Sequence, residues 1–424
     1  VEIADIRRGG GHIPLDAQER ILNEGRVSDI AFEDIRRRFP GTAKSTYMNT
    51  AARGLMMRES RAAVDAMLDA RLYDGGDKPA MFDAVEGARA RFAQLINAGS
   101  HDVAITKNVS EGLNAVIAAM DWRAGDNVVL CLDLEHPNNI YPWRQVARRF
   151  GVELRAIASV EGVMPVERMI DAMDEQTRAL TVSSVSFAPG FRSDVAALGA
   201  ACRARDALFL VDGVQSVGVL KTDVIAENID ALAVSTQKGL LGLYGMGFLY
   251  CRHEWAERLS PAYLARFGVD LGEGAHEAAI GGADWRLMPG ARRFDLGNYN
   301  FVAAAAVNPP LALMLETGPE TIEARVLSVS HRLAGGLFDL GLPVCGGAPG
   351  AHLAGLVTVG EIGAGQHDGT DDPAMQSLHQ FLTDHNVQLT IRRGVLRFSL
   401  HMFNNEDDVD RVVALAASWT RHYN

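Results

Sequence analysis

Short apolar runs alternate with amphipathic, helix-length segments through the middle of the chain. Runs at 103–106, 127–132, 154–157, 178–183, 208–211, 231–235 and 247–250 are rich in Val, Ile, Leu and Ala. Between them, 110–120, 142–150, 166–172 and 194–205 carry apolar residues at helical spacing. The alternation predicts an α/β protein with a mainly parallel seven-stranded sheet, covered by helices on both faces. Ahead of it, 61–72 and 81–96 read as helices, 45–50 as a short strand, and 14–38 as short polar helices.

The pattern changes near residue 311. A long helix leads to apolar runs at 342–345, 355–359, 387–391 and 395–400, with helices at 374–385 and 406–423. This reads as a smaller α+β domain with an antiparallel sheet. The expected division is an N-terminal segment (1–45) packing on the small domain, a large domain (46–305) and a small C-terminal domain (306–424).

Several chemically capable residues fall at or just past strand ends, where open α/β sheets bind ligands. Asp212 closes the run Leu208-Phe-Leu-Val, and Lys238 lies between the run 231–235 and a glycine-rich stretch. A strand-end carboxylate and a strand-flanked lysine suit pyridoxal phosphate (PLP): the lysine forms a Schiff base and the carboxylate pairs with the pyridinium. Ser110 opens a helix after a strand, so it reads either as an N-cap or as part of a phosphate site. His136 follows another strand and could stack on a flat ring or move protons.

Composition narrows the classes. The 424 residues include 42 Gly and 48% apolar side chains, which fits a large helix-rich enzyme. A formal charge of −12 argues against nucleic-acid or anionic-membrane partners. No apolar run reaches the roughly 18 residues expected of a spanning helix. The four cysteines lack metal-type spacing, so no metal site and no disulfide is expected, and a cytoplasmic setting is the default. Cys131, Cys202 and Cys251 read as small core residues.

Five segments in order resemble the class V aminotransferase family of fold-type I PLP enzymes, in its cysteine desulfurase and isopenicillin N epimerase-like branch. They are Ser110-Glu-Gly-Leu-Asn114, Glu135-His136-x-x-Asn139-x-x-Pro142-Trp143, Val211-Asp212-Gly-Val-Gln215, Ser235-Thr-Gln237-Lys238 through Gly245, and Arg397-Phe-Ser-Leu-His-Met-Phe-Asn404 through Asp410. The resemblance spans about 47–415. It implies that Lys238 carries the internal aldimine and moves the α-proton, Asp212 protonates the ring nitrogen and His136 stacks over the ring. It also implies that Gln215 lies near the ring hydroxyl, that Val109, Ser110 and Ser235 hold the phosphate, and that Gln237 stands beside the lysine where His is common. Asn298 is implied as a phosphate ligand across a homodimer interface, Arg397 as the binder of the substrate α-carboxylate, and Asn49 as a substrate-side contact.

Where the desulfurases place a nucleophilic cysteine, 387–397 runs strand, turn, strand with no Cys, which disfavours persulfide chemistry. The expected activity on a small amino acid is therefore transamination or β-elimination. Epimerisation, or a non-catalytic PLP-binding protein, is the alternative. Ser184 to Asp194 looks like the epimerase-like branch, with Phe187 packed near the ring. Arg192 reads either as a binder of an acidic substrate side chain or, by preference, as the ion-pair partner of Asp194. Arg292-Arg293, near the expected dimer contact, reads as a second candidate for anionic substrates or, by preference, as a solvated face.

Overall fold

The computed structural model describes residues 29–272, 275, 276 and 278–423. Most of the expected span 14–38 lies outside them; the described part holds one helix, Asp29–Arg37. A two-residue strand follows, β1 (Thr46–Tyr47). The central sheet has seven strands: β2 (Val103–Thr106), β3 (Asn127–Leu130), β4 (Glu153–Ala156), β5 (Thr177–Ser183), β6 (Leu208–Asp212), β7 (Ala231–Ser235) and β8 (Gly247–Cys251). Their order is β2-β8-β7-β6-β5-β3-β4. Pairs from β4 through β7 are parallel, while β8 runs antiparallel to both β7 and β2.

All seven strands fall where the apolar runs predict. Six of them are wholly or almost wholly buried, as expected when helices cover both faces; the edge strand β4 is not. The helix Val109–Ala119 packs flat on β7. A Cβ on Gly112 would stand 3.0 Å from that of Ala233, so a side chain there would lift the helix off the sheet.

A hairpin, β9 (Val269–Asp270) with β10 (Arg286–Leu287), precedes the helix Phe301–Thr317. That helix meets Pro319–Asp339 at an angle of 88°. No single described helix is long and apolar enough to cross a membrane. The smaller sheet is antiparallel, in order β11 (Leu356–Val359), β14 (Val395–Ser399), β13 (Thr390–Arg392), and β12 (Val387–Gln388) pairs instead with β1. The first strand among the described residues thus lies beside the C-terminal sheet, with Asn49 bridging to Ser399 of β14. The Asp29–Arg37 helix joins the same side: Arg36 pairs with Asp408 at 2.7 Å, and the rings of Phe39 and Phe403 are 5.0 Å apart.

Two arginine readings are corrected. Arg192 pairs with Glu323 at 3.2 Å, while Asp194 caps the helix Val195–Ala204 through Ala197 N. Arg293 is not on a solvated face. It is buried, donates to the carbonyls of Met288, Gly290, Ala256 and Leu259, and pairs with Glu257. Arg292 pairs with Glu86 at 2.7 Å. The sequence marks a basic dipeptide but not the carbonyls that fold around it.

Arg89 and Asp295 form a fully enclosed pair at 2.8 Å. Arg89 also donates to the Val103 carbonyl, and Asp295 accepts from Ile105 N, so the pair fastens the edge strand β2. Removing one partner leaves an uncompensated buried charge. Arg89→Met should lower unfolding stability by about 3–5 kcal/mol, read from the urea midpoint. A shift below about 1 kcal/mol would show that the pair is dispensable.

Candidate active site

Lys238 sits in the loop after β7, and three contacts hold that loop. Gly54 N donates to the Gln237 carbonyl at 2.8 Å, and a Cβ on Gly54 would stand 2.5 Å from the Lys238 carbonyl oxygen. The approach therefore needs glycine. His401 Nε2 meets the Gly239 carbonyl at 2.9 Å, while its Nδ1 accepts from Met402 N. Thr236 Oγ1 bonds the carbonyls of Leu243 and Met246, closing the glycine-rich turn. Within that turn Leu241 holds φ +55, a strained conformation for a branched side chain.

Burial pushes the Lys238 amine down to about 8, with Arg397 and Arg392 adding to the fall and Asp212 opposing it. Asp212 is 2% exposed, and burial raises its carboxyl although Val214 N donates to Oδ1 at 3.0 Å. His136 is driven down to about 4 by burial, then by Lys238, His367 and Arg397, so its ring is neutral at pH 7. Asn138 N donates to His136 Nδ1 at 3.2 Å, which leaves the ring proton on Nε2. The rings of His136 and Phe187 meet edge to face at 5.3 Å.

The rest of the histidine loop is scaffolding. Glu135 accepts from Ser183 N at 2.6 Å, Ser183 Oγ at 2.7 Å and Asn139 Nδ2 at 2.7 Å, and burial lifts its carboxyl to about 7. Asn139 Oδ1 takes the indole N–H of the fully buried Trp143. The loop is thereby tied to the end of β5, with His136 as its half-buried outward member.

At the start of Val109–Ala119, the cap is Asn108, whose side chain accepts from Glu111 N at 2.9 Å. The N-cap reading of Ser110 is corrected: the cap lies two residues earlier, and Ser110 is the second residue of the helix, in its first turn. Val109 N donates to Ser235 Oγ at 2.8 Å, which brings the ends of β2 and β7 together at one helix N-terminus. Gln215 is buried and donates to the Ala51 carbonyl at 3.3 Å. Asn49 bridges to Ser399, two residues past Arg397, and its Oδ1 is buried without a hydrogen-bond partner. Asn298 is exposed with φ +44 on the loop before Phe301–Thr317.

Arg397 is 2% exposed. Nη1 donates to the Phe187 carbonyl at 2.9 Å, and Nε is buried with no partner. Burial pulls its guanidinium down to about 9, so it stays charged at pH 7. Its neighbours Arg392 and His367 were missed in the sequence. Arg392 lies in an otherwise unremarkable strand and His367 on a loop with no motif, so only their placement brings them in.

These groups fit a phosphorylated pyridine cofactor. The helix N-terminus with Ser110 and Ser235 suits the phosphate. The buried Asp212 suits a ring N–H, a neutral amine suits an aldehyde, and the orphaned Arg397 Nε suits a substrate carboxylate.

Comparison with known proteins agrees. The aminotransferase class-V family model matches residues 78–412. A probable cysteine desulfurase of Methanothermobacter thermautotrophicus is 30% identical over 77% of this chain and 81% of its own length. An uncharacterised aminotransferase of Bacillus subtilis is 27% identical over 92% and 98%. The apo cysteine desulfurase of Thermococcus onnurineus superposes with a TM-score of 0.79 at 23% identity, covering 92% of this chain and 98% of that one. The chain belongs to the aminotransferase class-V family. That membership makes it a PLP-dependent transferase or lyase.

The neutral amine is the nucleophile, and its fraction rises with pH through the Lys238 pKa of about 8. Covalent capture of PLP by cofactor-free protein, fixed with borohydride, should speed up as pH rises and level off above that value. Arg397→Met removes a neighbouring positive charge and should move the midpoint upward. A rate still climbing past about pH 10, as for an ordinary lysine, would contradict the assignment.

Proposed function

We propose that this protein acts at the α-carbon of an amino acid, transferring its amino group or eliminating a β-substituent. The observation that carries this reading is Arg397: a charged, enclosed guanidinium with an unused Nε, standing in the same electrostatic field as a deprotonatable Lys238. Arg397 would grip the α-carboxylate through charge-assisted bonds. Lys238 Nζ, released as a neutral amine, would take the α-proton and return it. Asp212 would hold the proton on the ring nitrogen, and the neutral His136 would cover one ring face. The bound cofactor supplies an electron sink for the charge left at the α-carbon.

A persulfide-forming desulfurase is the second reading, favoured by the name of the 30% identical relative. The thiols weigh against it. Cys131, Cys202 and Cys251 are buried, and burial raises all three well above the ordinary thiol range. Cys345 is also raised by burial, and its Sγ points to the Gly360 carbonyl at 3.4 Å. β13 and β14 are joined by only Arg393 and Gly394, at φ +51 and +91, a tight turn with no room for a loop-borne nucleophile.

A homodimer belongs to the same proposal. Leu68, Leu72 and Tyr73 on the helix Arg58–Asp74 are 49%, 71% and 77% exposed, an apolar surface of the kind that subunits cover.

The test is the visible spectrum of the purified protein during titration with L- and D-amino acids, with assays for keto acid, ammonia and sulfide. Lys238→Ala should abolish turnover in a folded protein, and Arg397→Ala should weaken substrate use by about 10–100-fold while the colour is retained. Full activity in Lys238→Ala would sink the reading. Sulfide release abolished by Cys345→Ser would favour the desulfurase.

A further inference from the structure

Arg397 does not stand alone on its sheet face. In the β13–β14 pair Thr390 lies opposite Arg397, and Arg392 opposite Val395. Side chains alternate along a strand, so Thr390, Arg392 and Arg397 project from the same face, with Arg392 diagonal to Arg397. The other face carries Leu396 and Phe398 into the C-terminal core. The shared face holds two orphaned buried polar atoms, Arg397 Nε and Thr390 Oγ1, and the bridge from Asn49 to Ser399 brings a third, Asn49 Oδ1, alongside the same strand. One α-carboxylate satisfies one guanidinium, which leaves the second cation without a substrate partner.

Arg392 instead has a partner from the protein, Asp368, at 2.5 Å. The Asp368 side chain is 71% exposed and that of Arg392 23%, so the pair is open to water and readily exchanged. The Asp368 loop is tied by its backbone to the turn between the strands: Gly363 N to the Arg393 carbonyl, Arg393 N to the His367 carbonyl, and Gly394 N to the Gly369 carbonyl. Next to Asp368, His367 packs near Phe187 and His136 at 6.2 and 6.5 Å. The carboxylate on Arg392 is therefore delivered at the mouth of the site.

Resting on the amino-acid reading above, we propose that Arg392 is a specificity-determining residue. It binds a second anionic group on the substrate side chain while Arg397 takes the α-carboxylate, and Asp368 holds that position until the substrate arrives. The substrate class is an amino acid with an acidic side chain. Arg392 also lowers the pKa of Lys238, His136 and Arg397, which supports its facing the same space.

Two carboxylates that cannot react give the test. Titration calorimetry on the PLP-loaded protein compares succinate, with two, and propionate, with one. Wild type should bind succinate about tenfold tighter or more. Arg392→Gln should bring succinate to the propionate level while propionate affinity changes far less than succinate affinity, with circular dichroism confirming the fold. Asp368→Asn, a surface change, should tighten succinate several-fold by removing the competitor. Equal binding of the two acids by wild type, or a preference that survives Arg392→Gln, overturns the proposal; unchanged succinate affinity in Asp368→Asn overturns the placeholder role. The heat signal needs neither colour nor turnover, so failure here is distinct from failure of the cofactor reading, which the visible spectrum reports.

Discussion

Everything at the site depends on a seam between two sheets that share no strand. His401 on the Gly239 carbonyl, Arg397 on the Phe187 carbonyl and Thr358 on the Pro189 carbonyl are among its buried fastenings. Each joins the C-terminal segment to a loop at the mouth of the central sheet. Without them Lys238 would end one body and Arg397 another, and neither would raise or lower the other's charge. A buried carbonyl left without its donor costs free energy comparable to a lost hydrogen bond. The geometry is therefore held by the same bonds that keep the interface satisfied.

Burial then sets the protonation pattern. It lowers Lys238 and His136 and raises Glu135 and Asp212, in each case favouring the uncharged form. Arg397 is shifted the same way but keeps its charge, because an arginine starts so high. The outcome is a cluster with a permanent cation, a lysine close to neutrality and a neutral imidazole. Ordinary side chains reach that state through desolvation.

The sheet was legible because buried strands leave apolar runs, and the site because its residues cap those runs. Glu135 to Trp143 shows where legibility stops. The motif is plain in the sequence, yet it does not say that Glu135, Asn139 and Trp143 are scaffold while His136 faces outward. That division depends on Ser183 and Thr181, more than forty residues away. Charged partners were the least readable feature. Arg192 was matched to the nearest acid in sequence but meets Glu323, and Arg293 turned inward to carbonyls. Long side chains reach past their sequence neighbours, so ion pairs follow tertiary packing. The reversal of β8 was equally hidden, since a buried run looks the same in either direction.

The turn at Arg393 and Gly394 links the two functional arguments. Both residues hold positive φ, so the turn is the two-residue kind whose twist matches its strands, and the hairpin has no slack. A longer connection would have space to carry a side chain over the site, and this two-residue turn carries only Arg393 and Gly394. The same shortness keeps Arg392 in register with Arg397, two positions from the residue that faces it. The strict hairpin thus bears on both proposals: it weighs against a loop-borne nucleophile and sets Arg392 on the same face as Arg397. The consequence follows from backbone geometry before any side chain is considered.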